Sequence, residues 1–350
     1  MRIGITADLH LTAREDHPER YNSLENILTL LETEGSQTLL IAGDLFDKDF
    51  RNYSEFERFL KRYPQIQMHI IPGNHDANIS ERAIVAPNLH IYTMPTAVEL
   101  GSVTFVLIPY REETNMGDEI AALAESIRDR EWVLVGHGDY YGGIRERNPL
   151  EPGTYMPLSR ENVEVFRPRK VFLGHIHKYC DQGKVCYPGS PCGLDITETG
   201  KRRFLLYDTE DSSVKSLWVS TDIIYFEETF VVVPSEDEVP RLQEEIRKRI
   251  EFWNLEPSEQ TKAVVRVRAI GYATDRQAIF SVLKKGLGRF KFYNDEEPSI
   301  EQLSVSIDRQ LNAIAERTMQ LIDELDWDFG GDQPEKQAVK LAALNLIYGQ

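Results

Sequence analysis

The feature that most constrains this chain is a repeated junction, in which a short apolar run ends on Asp, Asn or His. It occurs five times: Ile3–Ala7 before Asp8, Leu39–Ala42 before Gly43-Asp44, Met68–Ile71 before Pro72-Gly73-Asn74, Trp132–Val135 before Gly136-His137, and Val171–Leu173 before Gly174-His175. Continuous β-branched or aliphatic runs of this length predict strands buried on both faces. Amphipathic stretches lie between them. Tyr21–Thr33 carries Leu24, Ile27, Leu28 and Leu31 at helical spacing, and Tyr53–Arg62 carries Phe56, Phe59 and Leu60. Strand–helix alternation predicts an α/β fold. Open α/β sheets bind ligands at the carboxyl ends of their strands, which is where all five polar clusters fall.

The middle of the chain reads as hairpins. Ala97–Leu100 and Val103–Ile108 flank a Gly101-Ser102 turn, and Phe204–Tyr207 and Val214–Val219 flank Asp208–Ser213. Mixed sheets in an α/β sandwich accommodate both patterns. A boundary is expected near Ser220–Ile223. Beyond it the order is strand (Phe226–Val233), helix (Asp237–Trp253), strand (Ala263–Ile270), helix (Asp275–Lys285), strand (Arg289–Tyr293). Asn294–Pro298 reads as a linker. Ile300–Leu325 reads as a helix with Leu303, Ile307, Leu311, Ile314, Leu321 and Leu325 apolar, Gly330-Gly331 breaks it, and Pro334–Tyr348 reads as a last helix. The expected division is therefore 1–222, 223–296 and 297–350.

Composition narrows the setting. With 350 residues, 41% hydrophobic and 28% charged, the chain can bury a sizeable core. No basic start precedes an apolar stretch, and no run reaches the roughly 18–20 apolar residues of a membrane span. A soluble, cytoplasmic protein with no membrane partner is expected. Three cysteines, Cys180, Cys186 and Cys192, form no CxxC pair, so they read as ordinary small residues rather than as a zinc site or a disulfide framework. The net charge of −17 opposes a uniformly phosphate-binding surface, so a nucleic-acid substrate would need local basic patches, metals or a partner.

The polar clusters themselves are Asp8-Leu9-His10, Gly43-Asp44-Leu45-Phe46-Asp47, Gly73-Asn74-His75-Asp76, Gly136-His137 and Gly174-His175-Ile176-His177. Carboxylate, imidazole and amide donors without thiolates suit Mn²⁺, Fe or Zn²⁺. Asp-x-His and His-x-His place both side chains on one side of an extended segment, so each pair can reach one metal centre. Glycine before the donors lets the backbone turn off the strand end.

This set (DxH, GDxxD, GNHD, GH, GHxH) resembles the signature of the calcineurin-like metallophosphoesterases, over about residues 1–220. The resemblance implies two divalent metal ions. Asp8, His10 and His177 would hold one, Asn74, His137 and His175 the other, and Asp44 would bridge them. His75 would be the non-ligand that protonates the leaving oxygen or steadies the transition state, with Asp76 orienting its ring. Within that superfamily the start Met1–Leu11, the run Ala42–Asp47 and Tyr187–Pro191 look like the DNA break-repair nuclease branch, of which bacterial SbcD is one type. That implies a metallophosphoesterase β-sandwich flanked by helices, a small α/β capping domain, and C-terminal helices that dock on an SbcC-type SMC-like ATPase. It also implies a homodimer that hydrolyses DNA, with Mn²⁺ as the expected metal. In archaeal and eukaryotic members a histidine often follows the GD motif, and here Asp47 takes that place.

Several residues carry plainer readings. His69 and His90 lie in apolar runs and read as core or edge residues. His17 reads as part of a solvated loop. Arg145 and Arg147, after Tyr140-Tyr141, could hold a nucleic-acid strand or simply face solvent. Arg247-Lys248-Arg249, flanked by glutamates, reads as a surface helix face. The competing function is a phosphodiesterase or phosphatase on the same metal core, acting on a small molecule or a phosphoprotein.

Overall fold

The computed structural model describes residues 1–48, 50, 52–79, 84–141, 153–327 and 334–349. The chain falls into two compact units, Met1–Leu194 with Lys201–Ile223, and Asp195–Gly200 with Ile224–Gln350. The fold is mixed α/β, as the alternating pattern requires.

The first unit contains two six-stranded sheets. In one the spatial order is Val214–Trp218, Arg203–Asp208, Arg2–Thr6, Thr38–Ala42, Gln67–Ile71, Leu89–Ile91. In the other it is Cys180–Gln182, Val185–Tyr187, Val171–Gly174, Trp132–His137, Val103–Ile108, Thr96–Leu100. The five apolar runs are all strands, but they divide three and two between the sheets. The hairpin Thr96–Leu100 to Val103–Ile108 is what opens the second sheet, because its return strand pairs in parallel with Trp132–His137.

The sheets pack face to face through Ile3, Ile5, Leu40, Ile71, Phe105, Leu107, Val133, Val135, Phe172 and Tyr207. The outer face of the first sheet is covered by helices Pro18–Thr33 and Ser54–Leu60, which bury Leu24, Ile27, Leu28, Leu31, Phe56 and Phe59. Proline in the first helical turn and Gly35 at φ +68 just past the end delimit the longer of them. Each of these aliphatic or aromatic side chains contributes about 1.5–3 kcal/mol when fully buried. Short helices Met116–Ala122, Ala124–Ile127 and Arg160–Phe166 cover the other outer face. Strands buried on both sides are thus the observed reason for the unbroken apolar runs.

In the second unit Ile224–Val232 and Ala263–Ala273 pair in parallel, with Lys291–Phe292 and Leu303–Val305 both on the second of these strands. Helices Glu238–Phe252 and Arg276–Leu287 bury Leu242, Ile246, Ile279 and Leu283 against that sheet. One expectation fails here. Ile300–Leu325 is not a single helix, because Leu303 is buried in the sheet core and Leu303–Val305 is a strand. The helix begins only at Arg309, where the Asp308 side chain accepts from the amides of Gln310 and Leu311. Helices Arg309–Glu324 and Lys336–Tyr348 share a small core of Ala315, Met319, Ile322 and Leu344 with Tyr272 of the sheet, so they belong to the same compact unit as Ile224–Phe292. Gly330-Gly331 lies outside the described residues. Among the described residues no helix is long and apolar enough to cross a membrane.

Candidate metal centre

All nine sequence-predicted site residues lie in the first unit, at or just past the ends of strands from both sheets. Parallel pairing puts Gly174 level with His137, and the His137 Nδ1 donates to Ala42 O at 2.9 Å, which joins one sheet to the other. The chain leaves the strands at strained angles. Asp8, His10, Asp44 and His175 have φ of 55, 47, 50 and 95. Left-handed backbone in residues with a Cβ is held only where the surroundings enforce it, and it clusters at functional sites.

The glycines serve a purpose the sequence did not disclose. A Cβ on Gly174 would lie 1.9 Å from Ala42 O, and one on Gly73 would lie 2.1 Å from Asp44 Oδ1. Neither has a left-handed φ, so close approach of neighbouring backbones, rather than a turn, excludes a side chain there.

Three groups of ligand-type atoms each lie within 4.8 Å of one another: Asp8, His10 and His177; Asp8, Asp44 and His137; and His10, Asp44 and His75. His10 Nε2 is 3.2 Å from His177 Nε2 and 3.7 Å from Asp44 Oδ2. Asp44 Oδ2 is also 3.4 Å from His137 Nε2, which in turn faces Asn74 Oδ1 at 2.8 Å. Asp44 therefore reaches both the His10–His177 side and the His137–Asn74 side. The His175 amide donates to Asp8 Oδ1 at 2.9 Å, and the His175 ring lies 5.6 Å from that of His137.

These residues fit a pair of cations on their own chemistry. Asp8 Oδ2 is buried with no hydrogen-bond partner. A buried carboxylate oxygen left so is costly unless a charge meets it. The proton that His137 Nδ1 gives to Ala42 O commits the neutral ring to present an acceptor at Nε2, yet Nε2 faces the amide oxygen of Asn74. A cation between two such acceptors resolves the clash. In the protein without metal a proton does so, because burial lowers the His137 pKa but Asp44 and Asp8 outweigh it and hold the ring at about 9. Burial raises the Asp8 pKa against the opposing pull of His177 and His137. Burial also acts to raise Asp44, but His137, His10 and His75 overcome it and hold that carboxyl well below the usual range. Metal binding must displace the His137 proton, so affinity rises with pH.

Residues 1–207 match the family of calcineurin-like phosphoesterases. The chain is a calcineurin-like phosphoesterase. It is 26% identical over 235 residues to exonuclease subunit 1 of Enterobacteria phage T4, covering 60% of this chain and 65% of that protein. It is 24% identical over 238 residues to the SbcD subunit of the SbcCD nuclease of Staphylococcus saprophyticus, covering 57% of this chain and 63% of that one. The phosphoesterase thus spans just under two thirds of the length of these relatives. A crystal structure of TT1561 of Thermus thermophilus aligns with a TM-score of 0.43 at 17% identity, over 63% of this chain and 99% of that one.

In the phosphoesterase two carboxylates, Asp47 and Asp76, flank the loop that carries His75. The two oxygens of Asp76 accept from the amides of Gly73 (2.7 Å) and Phe46 (3.1 Å). Burial and nearby Asp44 push its pKa up to about 6. Asp47 meets the ring, with Oδ1 3.2 Å from His75 Nδ1 and 3.7 Å from His10 Nδ1. Its Oδ2 is 3.2 Å from Arg20 Nη1. Although burial acts to raise it, bonding to His10 and His75 keeps the Asp47 carboxyl far below its ordinary value. Asp76 follows His75 directly and points back to the Gly73 turn, whereas Asp47 comes from the neighbouring loop.

Arg20, also bonded to His10 O, was missed. Its signal was an arginine in line with Leu24 and Ile27 on an otherwise apolar helix stripe. Tyr155, whose ring lies 4.5 Å from that of His175, carried no such signal.

His17 pairs with Glu19 at 2.9 Å. His69 bonds Tyr92 at 2.8 Å and stacks on His90 at 4.8 Å, as edge-of-core histidines do. Cys186 and Cys192 are buried and all three cysteines are free thiols. Arg247 and Lys248 pair with surface glutamates, while Arg249 lies over the Phe230 ring and binds Glu228 at 2.8 Å. Arg145 and Arg147 lie outside the described residues.

Proposed function

We propose that this phosphoesterase is the nuclease subunit of a DNA repair or recombination complex and hydrolyses DNA phosphodiester bonds with two Mn²⁺ ions. The observation that carries the reading is the convergence of the full donor set on one end of the sandwich, in a chain whose relatives are named as nuclease and exonuclease subunits. Asp8, His10 and His177 would hold one ion, Asn74, His137 and His175 the other, and Asp44 both. Such a pair lowers the pKa of water and neutralises phosphate oxygens as charge grows on them.

The chain's own residues supply the rest. His75 Nδ1–H donates a hydrogen bond to Asp47, which orients the ring so that, as the imidazolium, its Nε2–H would give the leaving oxygen its proton and return the ring to neutral. Asp47 fixes the His10 ring as well, and so ties the acid to the donors. Asp76 holds the Gly73 turn that carries Asn74 and His75.

A homodimer and an SbcC-type SMC-like ATPase docked on the C-terminal helices complete the proposal. Ile314, Leu321 and Leu325 at helical spacing, and Leu346 on the last helix, are exposed apolar side chains that support a docked partner.

The test is hydrolysis with Mn²⁺ of linear duplex DNA, single-stranded DNA and bis-p-nitrophenyl phosphate, with and without the ATPase. DNA cleavage is expected. Turnover of the small ester with no DNA cleaved in either condition would replace this reading with a small-molecule phosphodiesterase or phosphatase.

A further inference from the structure

The chain has 57 acidic and 40 basic residues, and among the described residues most arginines pair with a carboxylate. In the first unit Arg2 takes Glu34, Arg62 takes Glu25, Arg111 takes Glu119 and Arg160 takes Glu164. Arg203 is handled differently. Its guanidinium carbon lies over two aromatic rings, 4.3 Å from the Tyr179 centroid and 4.1 Å from that of Trp218. Its polar contact is a long one, 3.4 Å to Ser216 Oγ. Stacking occupies the two faces of a guanidinium and leaves its N–H edges free to donate to an oxyanion. Lys201 Nζ lies 5.3 Å from the same Trp218 ring. Trp218 is 50% exposed, whereas Trp132 and Trp253 are buried. An exposed indole is poorly explained by core packing.

The position of this stack matters more than its composition. Arg203 and Trp218 are cross-strand partners at one end of the first sheet. The register Ile5 to Leu205, extended by two residues, sets Arg203 level with Ala7, immediately before Asp8. Two strand spacings, roughly 10 Å, separate the Trp218 strand from the one that delivers Asp8. Tyr179 comes from the second sheet's side, two residues after His177, and Arg202 Nη1 donates to His177 O at 2.9 Å. Cation and aromatic rings therefore lie on the same rim as the metal donors, joined to them by backbone.

We propose that Tyr179, Arg203 and Trp218, with Lys201, form a guide that holds single-stranded nucleic acid beside the metal centre. The arginine edge takes a backbone phosphate and the exposed indole takes a base. The inference rests on the nuclease reading and deepens it, since it says how so acidic a chain grips a polyanion locally. Aromatic stacking combined with a cation tolerates any base sequence, so the guide selects for an unpaired strand rather than for a sequence.

The test uses the full chain. Binding of a fluorescein-labelled oligothymidine strand is followed by anisotropy in EDTA, where nothing is cleaved, and bis-p-nitrophenyl phosphate turnover is followed separately with Mn²⁺. Trp218→Ala and Arg203→Ala should each weaken strand binding about 10-fold. Arg203→Ala should also lower the slope of log K against log salt by about 0.7, and Trp218→Ala should not. Arg203→Lys should restore the slope but not the full affinity, because an ammonium cannot stack and fork together. Small-ester turnover should match wild type throughout.

Variants that bind the strand as wild type does would end the inference and leave the nuclease reading standing. A parallel loss of small-ester turnover would show the stack to be a structural plug and would also end it. A wild-type protein that turns over the small ester but neither binds nor cleaves DNA would remove the nuclease reading, and the guide with it.

Discussion

In the first unit Asp8, His10, Asp44 and His175 hold left-handed backbone, and Asp8 Oδ2 is buried without a partner. In the second unit buried Glu238 is met from several sides, by the Thr274 amide (2.9 Å), the Thr274 hydroxyl and the Asp275 amide (3.3 Å). Glu228 there takes both the Trp253 indole at 2.7 Å and Arg249 at 2.8 Å. The first unit gathers strained and unpartnered donor groups at one rim, whereas these two buried or half-buried glutamates of the second unit are met within its own packing. Each left-handed non-glycine residue costs about 1–2 kcal/mol, so the four donors together carry a cost of several kcal/mol. That cost is sustained by the core between the sheets, and it is consistent with a rim built to meet cations rather than to be complete alone.

The contrast can be broken most severely at glycine. Gly174→Ala puts a Cβ into Ala42 O and beside His137, so we expect loss of stoichiometric Mn²⁺ binding and of all measurable phosphodiester turnover. Isothermal titration and a bis-p-nitrophenyl phosphate assay check it. A Gly174→Ala protein that still bound two ions would refute the packing argument.

Next in size is His75→Ala. It should keep both ions but lower turnover about 10²–10⁴-fold, the usual worth of a placed general acid. Loss of metal in this variant would make His75 a ligand instead.

Asp47→Asn keeps the shape and removes the charge beside His75 and His10, so turnover should fall about 10–100-fold. The comparison is Asp76→Asn, which unsettles the Gly73 turn and should read out first as lowered thermal stability. If Asp76→Asn lowered turnover at unchanged stability while Asp47→Asn did nothing, the assignment of the ring partner would be reversed.

A smaller effect is expected from His69. Burial, and then the neighbouring His90, lower its pKa from 6.5 to about 4. Below the unfolded value the unfolded chain gains a proton that the folded chain refuses. Stability supplied by the neutral ring is therefore present above about 6.5 and drains away as pH falls toward about 4, by at most about 3 kcal/mol. Urea titrations of metal-free protein should show this slope, and His69→Phe should flatten it.

The least effect belongs to the second unit. Gly286→Ala sits in a helix with its new Cβ 3.2 Å from both Cδ1 and Cγ2 of Ile246, so helix propensity and crowding nearly cancel, within about 1 kcal/mol. A large loss there would mean that this unit is as tightly constrained as the rim.

Much of this was legible in the chain. The apolar runs marked every strand that carries a donor, because burial on both faces leaves an unbroken aliphatic signature. The β-α-β-α-β order of the second unit was legible too, although its two long strands alternate in burial instead of being buried on both faces. Where the reading failed, a local pattern imitated another. Leu303, Ile307 and Leu311 keep helical spacing across what is a strand, a connection and a capped helix start.

By itself, then, the sequence determined which residue types stand at which strand ends, since period, apolarity and turn chemistry are properties of neighbours along the chain. Only the tertiary structure decided which ends belong to which sheet, that Asp47 faces His75, and that Gly73 and Gly174 are kept small by a neighbour's oxygen. Each of these is a contact between residues far apart in sequence, and no local periodicity encodes the distance at which two packed sheets bring their edges together.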